Sequence, residues 1–209
     1  MVSEMIKASI RNPEYFEVLD ENTNEKYCGC NQEWYKKAWK RMAGCGPTAA
    51  ANIIMYYRKE IGTGKNNCVK LMNEMWEYIT PTMRGVNTTN VFYKGLVSFA
   101  DSKGIKLLYD AVDVPEKKEI RPAFKKIINF IKNSLENDVP LAFLNLCNGE
   151  EKLLDKWHWV TLISIEFEED LSKAYAEILD EGMKKTINLL LWYKTTTLGG
   201  GFISFSFAE

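Results

Sequence analysis

The sequence predicts an α+β protein in which helices come first and strands follow, and three observations carry that reading. Between residues 46 and 135 most apolar residues recur at i, i+3, i+4 and i+7, the period of a helix with one buried face. From Leu141 onward the pattern breaks into short apolar runs divided by turn formers. The composition, 46% apolar and 26% charged in 209 residues, provides a core without staples. One domain spanning residues 1–209 is expected, with a helical lobe over about 30–135 and a β lobe over about 140–209.

Gly46-Pro47-Thr48 opens the first helix, because proline suits a first turn where its missing N–H leaves nothing unpaired. Ala50, Ile53, Ile54 and Tyr57 form its apolar face, and Gly62 and Gly64 close it. Cys68, Leu71, Met72, Met75, Trp76 and Ile79 trace a second helix that Pro81 stops. The polar run Asn87-Thr88-Thr89-Asn90 caps a third, which Phe92, Leu96, Phe99 and Ala100 continue until Gly104. A strand near Lys106–Val112 precedes a helix from Pro122, with Phe124, Ile127, Ile128, Ile131 and Leu135 on one face. Strand-like segments then follow at Leu141–Leu146, Trp157–Ile165, Tyr175–Leu179, somewhere within Met183–Tyr193, and at Phe202–Phe207. The punctuation between them is Asn148-Gly149, Glu168-Glu169-Asp170, Asp180-Glu181-Gly182 and Gly199-Gly200-Gly201.

Charge and motif content remove several function classes. Lys and Arg number 27 against 28 Asp and Glu, with no basic stripe among aromatics, so no nucleic-acid partner is expected. No stretch approaches the roughly 18 apolar residues of a membrane span, and the start MVSEMIKASIRNPEYFEV lacks a signal-peptide core, so the expectation is a soluble, cytoplasmic chain with no membrane partner. Five cysteines, Cys28, Cys30, Cys45, Cys68 and Cys147, are an odd number and favour free thiols in a reducing compartment. Cys28-Gly29-Cys30 lacks zinc-ligand spacing, and Gly62-Thr63-Gly64-Lys65 lacks the spacing of a phosphate loop, so neither metal nor cofactor is expected. Serine-hydrolase, zincin and dinucleotide signatures do not occur.

The chemistry concentrates in two places. His158 is the one histidine, and it sits in the strand-like run Lys156-Trp157-His158-Trp159-Val160-Thr161. Alternation puts it with Val160 and Leu162, a costly place for an imidazole without a partner. A core histidine bonded to backbone is the plain alternative. Cys45, in Ala43-Gly44-Cys45-Gly46-Pro47-Thr48, falls where a turn enters a helix, a position whose free N–H groups favour a thiolate. The flanking glycines would let a substrate backbone come close, and Ala49, Ala50 and Ala51 keep the first turns thin. A buried structural cysteine is the alternative there.

The run AGCGPTAAANII, followed by WHWVTLISIE and then AEILDEG, resembles the papain-like cysteine peptidases over roughly Gln32 to Tyr193. Within them it is most similar to the bacterial group related to bacteriocin double-glycine leader peptidases, whose nucleophile motif reads Gly-Cys-Gly-Pro-Thr/Ser-Ala. The resemblance implies a helical lobe carrying the cysteine, packed on an antiparallel lobe carrying the histidine and the group that orients it. Carried over, Cys45 is the nucleophile, His158 the base, and Asp180 the orienting carboxylate, with Asn188 and Glu181 as rivals for that last role. Gln32 is the implied oxyanion donor beside the Cys45 backbone N–H, although it lies farther from the cysteine than the corresponding residue in papain. The implied partner is a peptide or protein substrate. An acyltransferase or transglutaminase-like enzyme and a degenerate peptide-binding module are the alternatives.

Overall fold

An antiparallel sheet in the order β4-β9-β5-β6-β7-β8 organises the protein, whose computed structural model describes residues 5–58 and 64–207. Its strands are Leu107–Val114 (β4), Leu141–Asn145 (β5), His158–Glu168 (β6), Ala174–Asp180 (β7), Met183–Asn188 (β8) and Gly200–Phe207 (β9). The long β6 is shared along one edge: β5 pairs with its first half, and an N-terminal strand, Met5–Ser9 (β1), pairs with its second half. A small hairpin, Glu17–Leu19 (β2) with Lys26–Cys28 (β3), stands apart.

Among the described residues six α-helices pack around these strands: Ala38–Ala43 (α1), Cys45–Tyr57 (α2), Lys65–Tyr78 (α3), Thr89–Ser102 (α4), Phe124–Glu136 (α5) and Leu189–Thr195 (α6). α2 is buried on all sides from Cys45 to Tyr56, because its alanines let it lie against both α3 and β6. Pro47 sits in its first turn, as the sequence predicts. Thr88 caps α4 by accepting the Val91 N–H, again as read from the sequence. Among the described residues no helix is long and apolar enough to cross a membrane.

Several expectations change. β1, the β2–β3 hairpin and α1 carry no period long enough to be read from sequence. The segment Met183–Tyr193 divides at Asn188, whose side chain accepts the Leu191 N–H and starts α6. Gly200 and Gly201 are strand residues, not a turn: they pair with Asn145 and Leu144, and a Cβ on Gly200 would lie 1.9 Å from the Leu144 carbonyl oxygen. Gly199 alone keeps the left-handed backbone expected of a turn, with φ +72°. Gly62 lies outside the described residues.

Candidate active site

The site is built where α1 turns into α2. Gly44 joins them, and a Cβ there would lie 2.3 Å from the Lys40 carbonyl oxygen and 2.5 Å from the Tyr35 ring. A Cβ on Gly46 would lie 2.9 Å from Val86. Both glycines are therefore demanded by packing around Cys45. Cys45 begins α2 and is buried, and its thiol donates to the Trp157 carbonyl at 3.9 Å. Trp157 itself holds a left-handed backbone, φ +57°, so β6 starts one residue later than alternation suggested and its first residue is His158.

His158 Nε2 meets Asp180 Oδ1 at 2.6 Å in a buried contact. Asp180 is placed by the tight β7–β8 turn, where Glu181 and Gly182 both take positive φ. Its other oxygen, Oδ2, accepts from Lys185 Nζ at 2.8 Å, and Lys185 also reaches Glu181 at 3.1 Å. Asn188 is occupied in capping α6 and Glu181 in its pair with Lys185, so Asp180 is the one of the three that meets the imidazole. Burial by itself would drive the imidazole towards its neutral form. Hydrogen bonding to Asp180 and to Cys45, with the charges of both, outweighs burial and raises the His158 pKa to about 10. Burial likewise opposes ionisation of Asp180, but the contacts from His158 and Lys185 hold its pKa below the ordinary carboxylate value.

Gln32 lines the same narrow cleft as Cys45, Thr48, His158 and Asp180. Its Oε1 is buried and has no hydrogen-bond partner among the described residues. The loop that carries it is clamped on two sides. The Cys30 N–H donates to Asn52 Oδ1 at 2.8 Å, and Asn52 Nδ2 donates to Thr161 Oγ1 at 3.1 Å. Asn31 Nδ2 donates to the Glu181 carbonyl at 2.8 Å, and the Cys28 N–H donates to the Gly182 carbonyl at 2.7 Å. Nothing in the sequence motifs points to Asn52 or Lys185. An asparagine seven residues after Cys45, on the same face of an otherwise apolar helix, was the available signal for the first.

The remaining thiols differ in kind. The hydrogen bond that the Cys30 thiol gives to Cys68, then burial, raises its pKa well above the ordinary range. Burial also raises Cys28. Cys147 goes the other way: burial would raise it, but the Thr197 hydroxyl and the N–H groups of Thr197, Gly149 and Leu198 bring it down to about 7. Asp155, His158 and Asp180 bring one ligand atom each within 4.8 Å of one another. A cation there would have to break the His158–Asp180 contact.

No family model matches the sequence, and no curated protein matches it. Among solved structures the chain is similar to one described as the crystal structure of UfSP from C. elegans, with 8% sequence identity and a TM-score of 0.48. That match takes in 100% of this chain but only 35% of the other, so this chain spans about a third of the length of the structure it matches.

Proposed function

We propose that the chain is a thiol-dependent peptidase of papain-like type, in which Cys45 is the nucleophile, His158 the general base and acid, Asp180 the group that orients the imidazole, and Gln32 a side-chain donor to the oxyanion. The observation that carries this reading is the buried 2.6 Å contact between His158 and Asp180, in a cleft that Cys45 also lines. A histidine held between a carboxylate and a thiol at a helix start is suited to an imidazolium–thiolate pair. The AGCGPTAAA motif and its resemblance to leader peptidases add support for a peptide substrate. All five cysteines are free, which fits action in a reducing compartment such as the cytoplasm.

In this reading the Cys45 sulfur attacks the scissile carbonyl and forms a C–S bond, while the carbonyl electron pair moves onto oxygen. The Cys45 backbone N–H and the Gln32 amide donate to that oxyanion. The C–N bond breaks as the imidazolium gives its proton to the leaving amine, and the resulting neutral imidazole then takes a proton from the water that cleaves the thioester. Asp180 stays ionised throughout and fixes the ring through Nε2, leaving Nδ1 to serve the sulfur.

Peptide turnover tests the assignment. Cys45→Ala should reduce it by about a thousandfold or more while the variant remains folded. Cys147, with its lowered pKa, would compete in any thiol-labelling experiment, so labelling belongs in a Cys147→Ser background. There, substoichiometric iodoacetamide should modify Cys45 before Cys28, Cys30 or Cys68, as mapped by mass spectrometry. An inert Cys45 would remove it as the nucleophile.

A further inference from the structure

A groove of about 560 Å³ opens beside Cys45, lined by Trp39, Met42, Met83, Arg84 and Trp157. The exposure of these apolar side chains is unusual: Met83 is 96% and Met42 77% accessible, and Trp39 and Trp157 are about half accessible. They come from three separate segments, α1, the Thr82–Gly85 turn and the residue before His158, so their convergence is a property of the fold and not of one amphipathic helix. Arg84 is the one charged residue of the lining, and among the described residues its guanidinium makes no hydrogen bond or ion pair.

Resting on the peptidase reading, we propose that this groove selects peptide substrates with a large apolar side chain beside the scissile bond and an aspartate or glutamate close to it. The apolar side chain lies among the methionines and tryptophans, whose flexible thioethers and flat rings adapt to side chains of different shape. The acidic residue meets Arg84, which a carboxylate can engage through two parallel N–H donors. Continuity with Cys45 places the occupant at the reacting carbon, and Arg84, unpaired among the described residues, sets the charge it must carry. The net charge of −1 for the whole chain conceals this local sign.

The test uses the full chain and short synthetic peptides that differ at two positions: leucine or serine beside the cleavable bond, and aspartate or lysine next to it. Cleavage is followed by mass spectrometry, and binding by the fluorescence of Trp39 and Trp157. Leucine–aspartate peptides should bind and be cut about fivefold better than leucine–lysine ones, the size expected of a partly exposed charge contact. Arg84→Glu should invert that order, a gain that misfolding would not produce. Met42→Ser combined with Met83→Ser should erase the preference for leucine over serine. Cleavage or binding indifferent to both positions would overturn the proposal, as would a solution dimer that covers Met83 or preference for a fatty acid over every peptide. Selective binding with no cleavage products would instead uphold the groove and overturn the peptidase reading.

Discussion

At the scale of single residues, the region around Cys45 is governed by what cannot be added to it. Gly-Cys-Gly reads in the sequence as an opening for substrate, yet both missing side chains are replaced by neighbours already in place. Alanine at Gly44 would press a methyl against the Lys40 carbonyl, a backbone atom, and against the buried Tyr35 ring, neither of which can step aside. Gly44→Ala should therefore cost about 2–3 kcal/mol in a urea or thermal unfolding experiment and displace Cys45 along with α1. Gly85 makes the comparison fair. Nothing lies within 4 Å of a Cβ built there, and only its φ of +67° resists substitution, so Gly85→Ala should cost about 1 kcal/mol. Equal costs would mean that backbone conformation, not crowding, explains the glycine before the cysteine.

At the scale of elements, the helices were legible because each repeats its signal over three or four turns. Met72, Met75 and Trp76 repeat one face of α3 within a few residues, and Phe92, Leu96 and Phe99 do so for α4. β1 was not legible, since five residues starting at Met5 become a strand only by pairing with β6, more than 150 residues away in the chain. Gly200 and Gly201 mislead for the complementary reason: glycine signals a turn locally but is required here because the Leu144 backbone crowds Gly200 and the Thr89 side chain crowds Gly201. The loop around Gln32 belongs with these, as it is fixed by long-range bonds and has no period of its own. Asn52 is the member of that clamp that sequence changes can remove cleanly. Asn52→Leu keeps a similar volume but leaves the Cys30 N–H and the Thr161 hydroxyl without their buried partner, so stability should fall by about 2 kcal/mol. Turnover should fall with it, through a lower kcat, because the Gln32 loop loses its anchor on α2. A variant that loses stability but keeps full kcat would separate the clamp from the chemistry.

At the scale of the whole molecule, the chain brings residues 32, 45, 158 and 180 into one cleft, and the resulting electrostatics reach beyond the site. Sequence could nominate Cys45, His158 and Asp180, since each sits at an element boundary with a recognisable neighbour, but the presence of Lys185 and Asp155 around them depends on how β6, β7 and β8 register. The consequence is a pH dependence with a definite sign. Because folding raises His158 from its ordinary 6.5 to about 10, the folded chain holds a proton that the unfolded chain releases between those values. The stabilisation is fully present below about 6.5 and is lost as pH rises through about 10. Asp180, whose pKa folding lowers, acts at the other end: its contribution is present above the ordinary carboxylate value and is lost as pH falls below it. The raised thiols Cys28 and Cys30 also weaken the fold at alkaline pH, so wild-type melting alone would not isolate the histidine. Asp180→Asn does so, since it removes the carboxylate that holds the imidazolium while leaving those thiols in place. Wild type should exceed Asp180→Asn in urea midpoint most clearly near pH 6, and the gap should narrow steadily towards pH 10. The alkaline limb of peptide turnover should move down in pH in the same variant, as the imidazolium becomes easier to deprotonate. A gap that stays constant across that range, with an unshifted alkaline limb, would mean that the 2.6 Å contact positions the ring without charging it.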